Sequence, residues 1–134
     1  MLPESPSCLI SIPVQPEFQL MRETVVQALE KFEVKPFFAG DDSPATITTD
    51  QVRRADFAVV DISSGSPNTF YLLGVCDAFR KPVLILYERS RPLPVDVKGM
   101  QVISYGREEV PRLGHFLNYW LKDRLAAIGR QGAA

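Results

Sequence analysis

Two short polar stretches hold most of the groups in this chain that are suited to chemistry. Asp61 closes the apolar run Phe57-Ala58-Val59-Val60-Asp61-Ile62, and Ser63-Ser64-Gly65-Ser66-Pro67-Asn68 comes directly after it. A carboxylate at the end of a buried strand either holds a hydroxyl of a bound sugar or is itself buried and hydrogen-bonded, and both readings suit Asp61. Serines, a glycine and an asparagine that open a helix leave backbone N–H groups suited to an anionic or polar ligand. A well-capped surface loop has the same composition. Pro13-Val14-Gln15-Pro16 succeeds an earlier apolar run, and Gly40-Asp41-Asp42-Ser43-Pro44 places two acids in a turn. These segments make Val14, Gln15, Asp41, Asp61, Ser63, Ser64 and Asn68 the candidate ligand-binding residues. Glu88 reads as solvated surface.

Other chemistries lack their residues. His115 is the only histidine and lies in a helical stretch, so a Ser-His-Asp or Cys-His arrangement and a histidine metal site have nothing to build on. Neither a G-x-x-x-x-G-K-[ST] loop nor a G-x-G-x-x-G turn occurs. A phosphoacceptor receiver would need an acidic pair after the first strand, where Pro13-Val14-Gln15 stands. Cys8 and Cys76 are far apart, without metal or redox spacing, so a reducing, cytoplasmic compartment is expected. Fifteen Lys/Arg against sixteen Asp/Glu give a formal charge of −1 with scattered arginines, which argues against a nucleic-acid partner. No run approaches the roughly 18 apolar residues of a membrane span. No cofactor is implied, and the N-terminus lacks a basic region of the secretory type.

The elements that must position these groups emerge from periodicity. Residues 8–12, 34–39, 57–62, 83–87 and 100–105 read as strands; the third and fourth are nearly all apolar, as in a parallel sheet buried on both faces. Between them, Phe18, Met21, Val25, Ala28 and Leu29 recur at helical spacing, as do Phe70, Leu73 and Cys76. A short helix is expected over residues 47–55, and Val110, Leu113, Leu117, Trp120 and Leu121 mark a long last one. Ser66 with Pro67 after it predicts an N-cap and an N1 proline. The reading is five strands alternating with five helical segments, with Arg91-Pro92-Leu93-Pro94 irregular. The fold class is α/β: a flavodoxin-like, doubly wound five-stranded parallel sheet of order 2-1-3-4-5 with helices on both faces. The 134 residues form one domain over 1–128, with a frayed tail over 129–134. The crevice of such a sheet lies outside the strand carboxyl ends, between strands 1 and 3.

Ala55-Asp56-Phe57-Ala58-Val59-Val60-Asp61-Ile62-Ser63, Ser66-Pro67-Asn68-Thr69-Phe70-Tyr71-Leu72-Leu73-Gly74 and Lys81-Pro82 resemble, in order and spacing, the nucleoside 2-deoxyribosyltransferase-like proteins and the related TIR-like nucleotide-binding domains. Their pattern runs A-D-x-h-h-h-D-[IL]-[ST], then N-P-N-V-x-Y-E-L-G, then K-P before the next strand. Leu93-Pro94-Val95-Asp96-Val97 and Val102-Ile103-Ser104-Tyr105 are similar to the family's later P-F-D-L and I-x-Y elements, so the likeness spans residues 8–125. It implies a nucleoside or nucleotide-like small molecule as ligand, and a homodimer or larger multi-domain assembly is compatible with it. In that family the glutamate of E-L-G is the nucleophile. Leu72 stands there in this chain, and leucine can neither attack carbon nor stabilise an oxocarbenium-like transition state. Asp61 is the nearest substitute.

Three functions are therefore weighed. The first is a catalytically silent nucleoside- or nucleotide-binding or signalling module. The second is an active N-glycosidase, deoxyribosyltransferase or NAD-cleaving enzyme that uses another carboxylate. The third is a TIR-like protein–protein interaction domain. Replacement of the nucleophile beside a retained loop favours the first.

Overall fold

A computed structural model describes residues 5–39, 45–92, 97 and 99–133, with only the backbone described for 45–48 and 130–133. The strands are β1 (Ser7–Ser11), β2 (Lys35–Phe38), β3 (Phe57–Asp61), β4 (Val83–Glu88) and β5 (Gln101–Tyr105). The helices are α1 (Gln19–Lys31), α2 (Ala45–Arg54), α3 (Pro67–Ala78) and α4 (Leu113–Ala133). Short 3-10 turns, Pro16–Phe18 and Arg107–Arg112, lead into α1 and α4.

The sheet order is β2-β1-β3-β4-β5, and every pairing is parallel. The chain thus has the expected flavodoxin-like architecture. Ile10 pairs with Val59 and Val59 with Leu84, so the three apolar strands sit side by side in the middle. Strand side chains alternate between faces, and both faces here meet helices. Cys8, Ile10, Phe57, Val59, Leu84 and Leu86 pack with α1 and α4; Leu9, Ala58, Val60 and Ile85 pack with α2 and α3. Two covered faces explain why the central strands read as continuous apolar runs. Trp120 is buried on the first face, its ring edge-on to Phe57 at 5.4 Å, and its Nε1–H donates to Gln101 Oε1 at 2.8 Å.

One expectation is corrected. Five helical segments were read, but the described residues between β4 and β5 contain no helix; Pro92 and Pro94 in that connection remove donors that a helix needs. The helix α4 runs through residues 129–133 to Ala133.

Candidate functional site

All five strands point the same way, so the loop after β1, the loop after β3 and the ends of β4 and β5 share one edge of the sheet. The loop after β1 is pinned by Arg22, whose Nη2 donates to the Pro13 carbonyl at 2.9 Å. Gln15 then opens the 3-10 turn, its carbonyl accepting the Phe18 N–H at 3.0 Å. Val14 and Gln15 remain exposed.

The loop after β3 turns inward. Asp61 is 1% exposed; its Oδ1 accepts the Ser63 N–H at 2.8 Å and its Oδ2 the Tyr105 hydroxyl at 2.6 Å. Ser63 is buried too, and its Oγ accepts the Glu88 N–H at 2.9 Å. Gly65 takes a φ of 69°, the left-handed conformation that glycine adopts freely, and its N–H donates to the Ile62 carbonyl. Ser64 Oγ accepts the Ser66 N–H at 3.2 Å. Ser66 is the N-cap of α3 with Pro67 at N1, as expected, although its hydroxyl makes no capping bond. Ser64 and Asn68 are exposed on this loop. Asp41 lies outside the described residues.

Of the two readings of Asp61, the buried, hydrogen-bonded one describes it. Burial is the largest influence on its carboxyl and raises it above the usual carboxylate range, against the bonds from Ser63 and Tyr105. The Tyr105 hydroxyl is pushed up, first by burial and then by the Asp61 charge. Both cysteines are buried; burial holds the Cys76 thiol up at about 11 and raises Cys8 as well, so neither is a poised nucleophile.

Leu72 is 3% exposed and belongs to the core between the sheet and the α2/α3 layer, with Leu9, Val60 and Ile85. An aliphatic side chain is what that environment takes. Glu88 was read as solvated surface; it is 6% exposed. The correction has a topological cause, because β4 ends between β3 and β5. Ser90 donates to the Glu88 carboxylate through both its hydroxyl and its N–H, and this bonding holds the carboxyl below its ordinary value.

Sequence reasoning missed the residues that tie this edge together. Arg91 reaches Glu17 Oε1 at 3.3 Å, the Ser63 carbonyl at 3.4 Å and Glu88 Oε2 at 3.7 Å, with its guanidinium 5.1 Å above the Phe18 ring. Its own carbonyl accepts the Tyr87 hydroxyl. Beside this cluster lies a cavity of about 230 Å³, between the turn after β1 and the ends of β4 and β5. Glu17, Glu88, Tyr105 and Arg107 are its polar lining, and Phe18, Met21 and Val110 give it an apolar floor. Parallel strands align their carboxyl ends, so Tyr105 was findable as the last residue of a predicted strand and Glu88 as the residue directly after another. Nothing in the spacing of Glu17, Arg91 and Arg107 signals that they meet. Among the described residues, no three His, Cys, Asp or Glu side chains are placed to hold a metal ion.

No protein-family model and no curated protein matches the chain. Solved structures do resemble it. One is a putative lipoprotein fragment from Peptoclostridium difficile 630: TM-score 0.59, 10% identity, covering 91% of this chain and 99% of that one. A second is a de novo designed Rossmann 2x3 fold protein: TM-score 0.56, 15% identity, covering 90% and 91%. The third is the constitutive lysine decarboxylase of E. coli: TM-score 0.56, 10% identity, covering 93% of this chain but 18% of the decarboxylase. At such identities the likeness is one of fold. No described helix is long and apolar enough to cross a membrane.

Proposed function

We propose that this domain is a catalytically silent module of the nucleoside 2-deoxyribosyltransferase/TIR-like type, acting in the cytoplasm. It binds a nucleoside- or nucleotide-like molecule at the carboxyl ends of β1, β3, β4 and β5. The observation that carries the reading is the cavity of about 230 Å³ at that edge, with the carboxylate of Glu17, the guanidinium of Arg107 and an apolar floor. The carboxylate suits a ribose hydroxyl, Arg107 suits a phosphate, and the apolar floor suits a base. Pockets that enclose a whole drug-sized ligand measure about 300–1,000 Å³, so this one holds one ring and leaves the rest of the ligand against exposed Val14, Gln15, Ser64 and Asn68.

The silent half of the reading rests on where the acids are spent. Asp61 is enclosed by Ser63 and Tyr105, and Glu88 is engaged by Ser90 and Arg91. At the position of the family nucleophile the side chain is Leu72, inside the core.

A thermal-shift series with nucleosides, nucleotides, NAD and cyclic dinucleotides tests the binding. A ligand that binds only the folded state stabilises it by about 2.7 kcal/mol at a hundred times its Kd. The Arg107→Ala variant should lose most of the shift caused by a nucleotide and less of that caused by a nucleoside. No shift with any of these compounds would end the proposal. Release of free base or nicotinamide above background on incubation with deoxynucleosides or NAD would replace it with the enzyme reading.

A further inference from the structure

Arg80, Lys81 and Arg124 converge at the opposite edge, where they line a cavity of about 290 Å³ at the amino ends of β3 and β4. An adjoining recess of about 220 Å³ shares Lys81, Pro82 and Arg124. Among the residues that line the larger cavity the single carboxylate is Asp56, and its Oδ2 already accepts the Ser7 N–H at 2.8 Å. Three cations thus line a cavity whose one carboxylate is engaged; Lys81 Nζ also donates to the Arg53 carbonyl at 3.3 Å, and Asp77 lines the adjoining recess.

Arg124 is incompletely satisfied. Its Nη2 donates to Asp123 Oδ2 at 2.8 Å, whereas its Nε is buried without a hydrogen-bond partner among the described residues. Arg22 Nε and Gln51 Oε1 are unpartnered in the same way, so it is the convergence of cations on the cavity, and not this atom, that points to a ligand. Arg80 stands at φ 54°, just past the end of α3, where the Lys81 N–H returns to the Cys76 carbonyl at 3.0 Å. That is the Schellman position, which favours glycine. Glu33 occupies the same position after α1 at φ 58°, away from this cavity. Attraction to the carboxyl end of α3 accounts for Arg80 and Lys81 there; it does not account for Arg124 of α4 lining the same cavity. The remaining wall is apolar, with Ile128 and with Phe79, a 40% exposed residue that carries the Arg53 guanidinium 5.4 Å from its ring centroid, a further cation at this edge.

We propose that this amino-end cavity binds a phosphate monoester, its phosphate on Arg80, Lys81 and Arg124 and its organic part against Phe79 and Ile128. Guanidinium groups match phosphate oxygens in charge and in forked geometry. Low-dielectric walls concentrate the positive potential that the three cations create.

Isothermal titration at constant ionic strength, with chloride as the balancing anion, tests the site using phenyl phosphate and inorganic phosphate. Phenyl phosphate should bind, and more tightly than inorganic phosphate. Arg80→Gly removes the guanidinium while relieving the left-handed residue, so its Tm should equal or exceed that of the parent protein while phenyl phosphate affinity falls at least tenfold. Arg124→Gln should weaken binding similarly. Glu33→Gly relieves the same backbone conformation elsewhere and should leave the affinity unchanged. No heat at millimolar phenyl phosphate, or undiminished binding by the well-folded Arg80→Gly protein, would overturn the proposal. Phenyl phosphate carries a ring and a phosphate that the carboxyl-edge cavity is also proposed to take, so the Arg107→Ala variant separates the two: it should bind phenyl phosphate as the parent does, and loss of binding there with none in Arg80→Gly would overturn the amino-end site.

Discussion

At the carboxyl edge of the sheet most of the buried polar groups answer one another: Asp61 is met by Ser63 and Tyr105, Ser63 by Glu88, and Glu88 by Ser90 and Arg91, with the Nε of Arg22 left unpartnered among the described residues. At the amino edge, Arg80, Lys81 and Arg124 face a recess, and the Nε of Arg124 has no acceptor among the described residues. Both edges are formed by the same parallel strands, so the difference comes from the segments that join those strands to the helices. After β3 and β4 come short loops whose hydroxyls and N–H groups turn onto carboxylates. Before β4 comes the end of α3, which brings the adjacent cations Arg80 and Lys81 to a cavity whose one carboxylate, Asp56, is already engaged. A closed network fixes the wall of the cavity beside it, whereas an incompletely paired cluster leaves charge for an anion.

Leu72→Glu is the strongest attempt to break this contrast, because it restores the carboxylate of the resembled family. If Leu72 belongs to the α2/α3 core, an uncompensated buried charge should cost about 3–5 kcal/mol, read as a fall in the urea midpoint. A stable Leu72→Glu protein that releases base from deoxynucleosides would show that the position reaches the crevice after all.

Tyr105→Phe probes the closed edge itself. It leaves Asp61 Oδ2 buried without its donor, a loss of about 1–3 kcal/mol. An unchanged urea midpoint would mean that water or another group replaces the hydroxyl, and the edge would then be open.

The pH dependence sharpens the same point. Burial raises the Asp61 carboxyl from 3.8, so as pH rises the unfolded chain releases this proton before the folded one does. Asp61's contribution to stability is fully present below the unfolded value and is lost as pH rises through the folded value. Glu88, held below its ordinary value, acts with the opposite sign. Subtracting the stability profile of Asp61→Asn from that of the parent should therefore leave a curve that falls with rising pH and then levels. A flat difference would place the Asp61 carboxyl at its unfolded value.

The smallest effect belongs to the amino edge. Without ligand, Arg80→Gly should stabilise the fold by about 0.5–1 kcal/mol, since glycine adopts a positive φ without the steric cost. A loss of stability measured by thermal denaturation would mean that Arg80 supports the fold rather than a ligand.

Much of this architecture was legible in the residue pattern. The apolar runs at Phe57–Asp61 and Val83–Glu88, with helical spacing on either side, determined the layers and the strand order, because burial on both faces leaves a one-dimensional signature. Ser66-Pro67 likewise marked the start of α3. The candidate site was less legible. Asp61 and Ser63 were placed correctly at the edge, yet their neighbours Tyr105, Glu88 and Arg91 come from other parts of the chain and carry no local motif. Leu72 looked like a vacancy in a catalytic pattern, and its place in the core appeared only when the layers were assembled. Likewise the scattered arginines became a cluster only where the chain leaving α3 meets α4 at Arg124. Periodicity records which face of an element is buried; hydrogen bonds and converging charges depend on distances between elements, which packing alone decides.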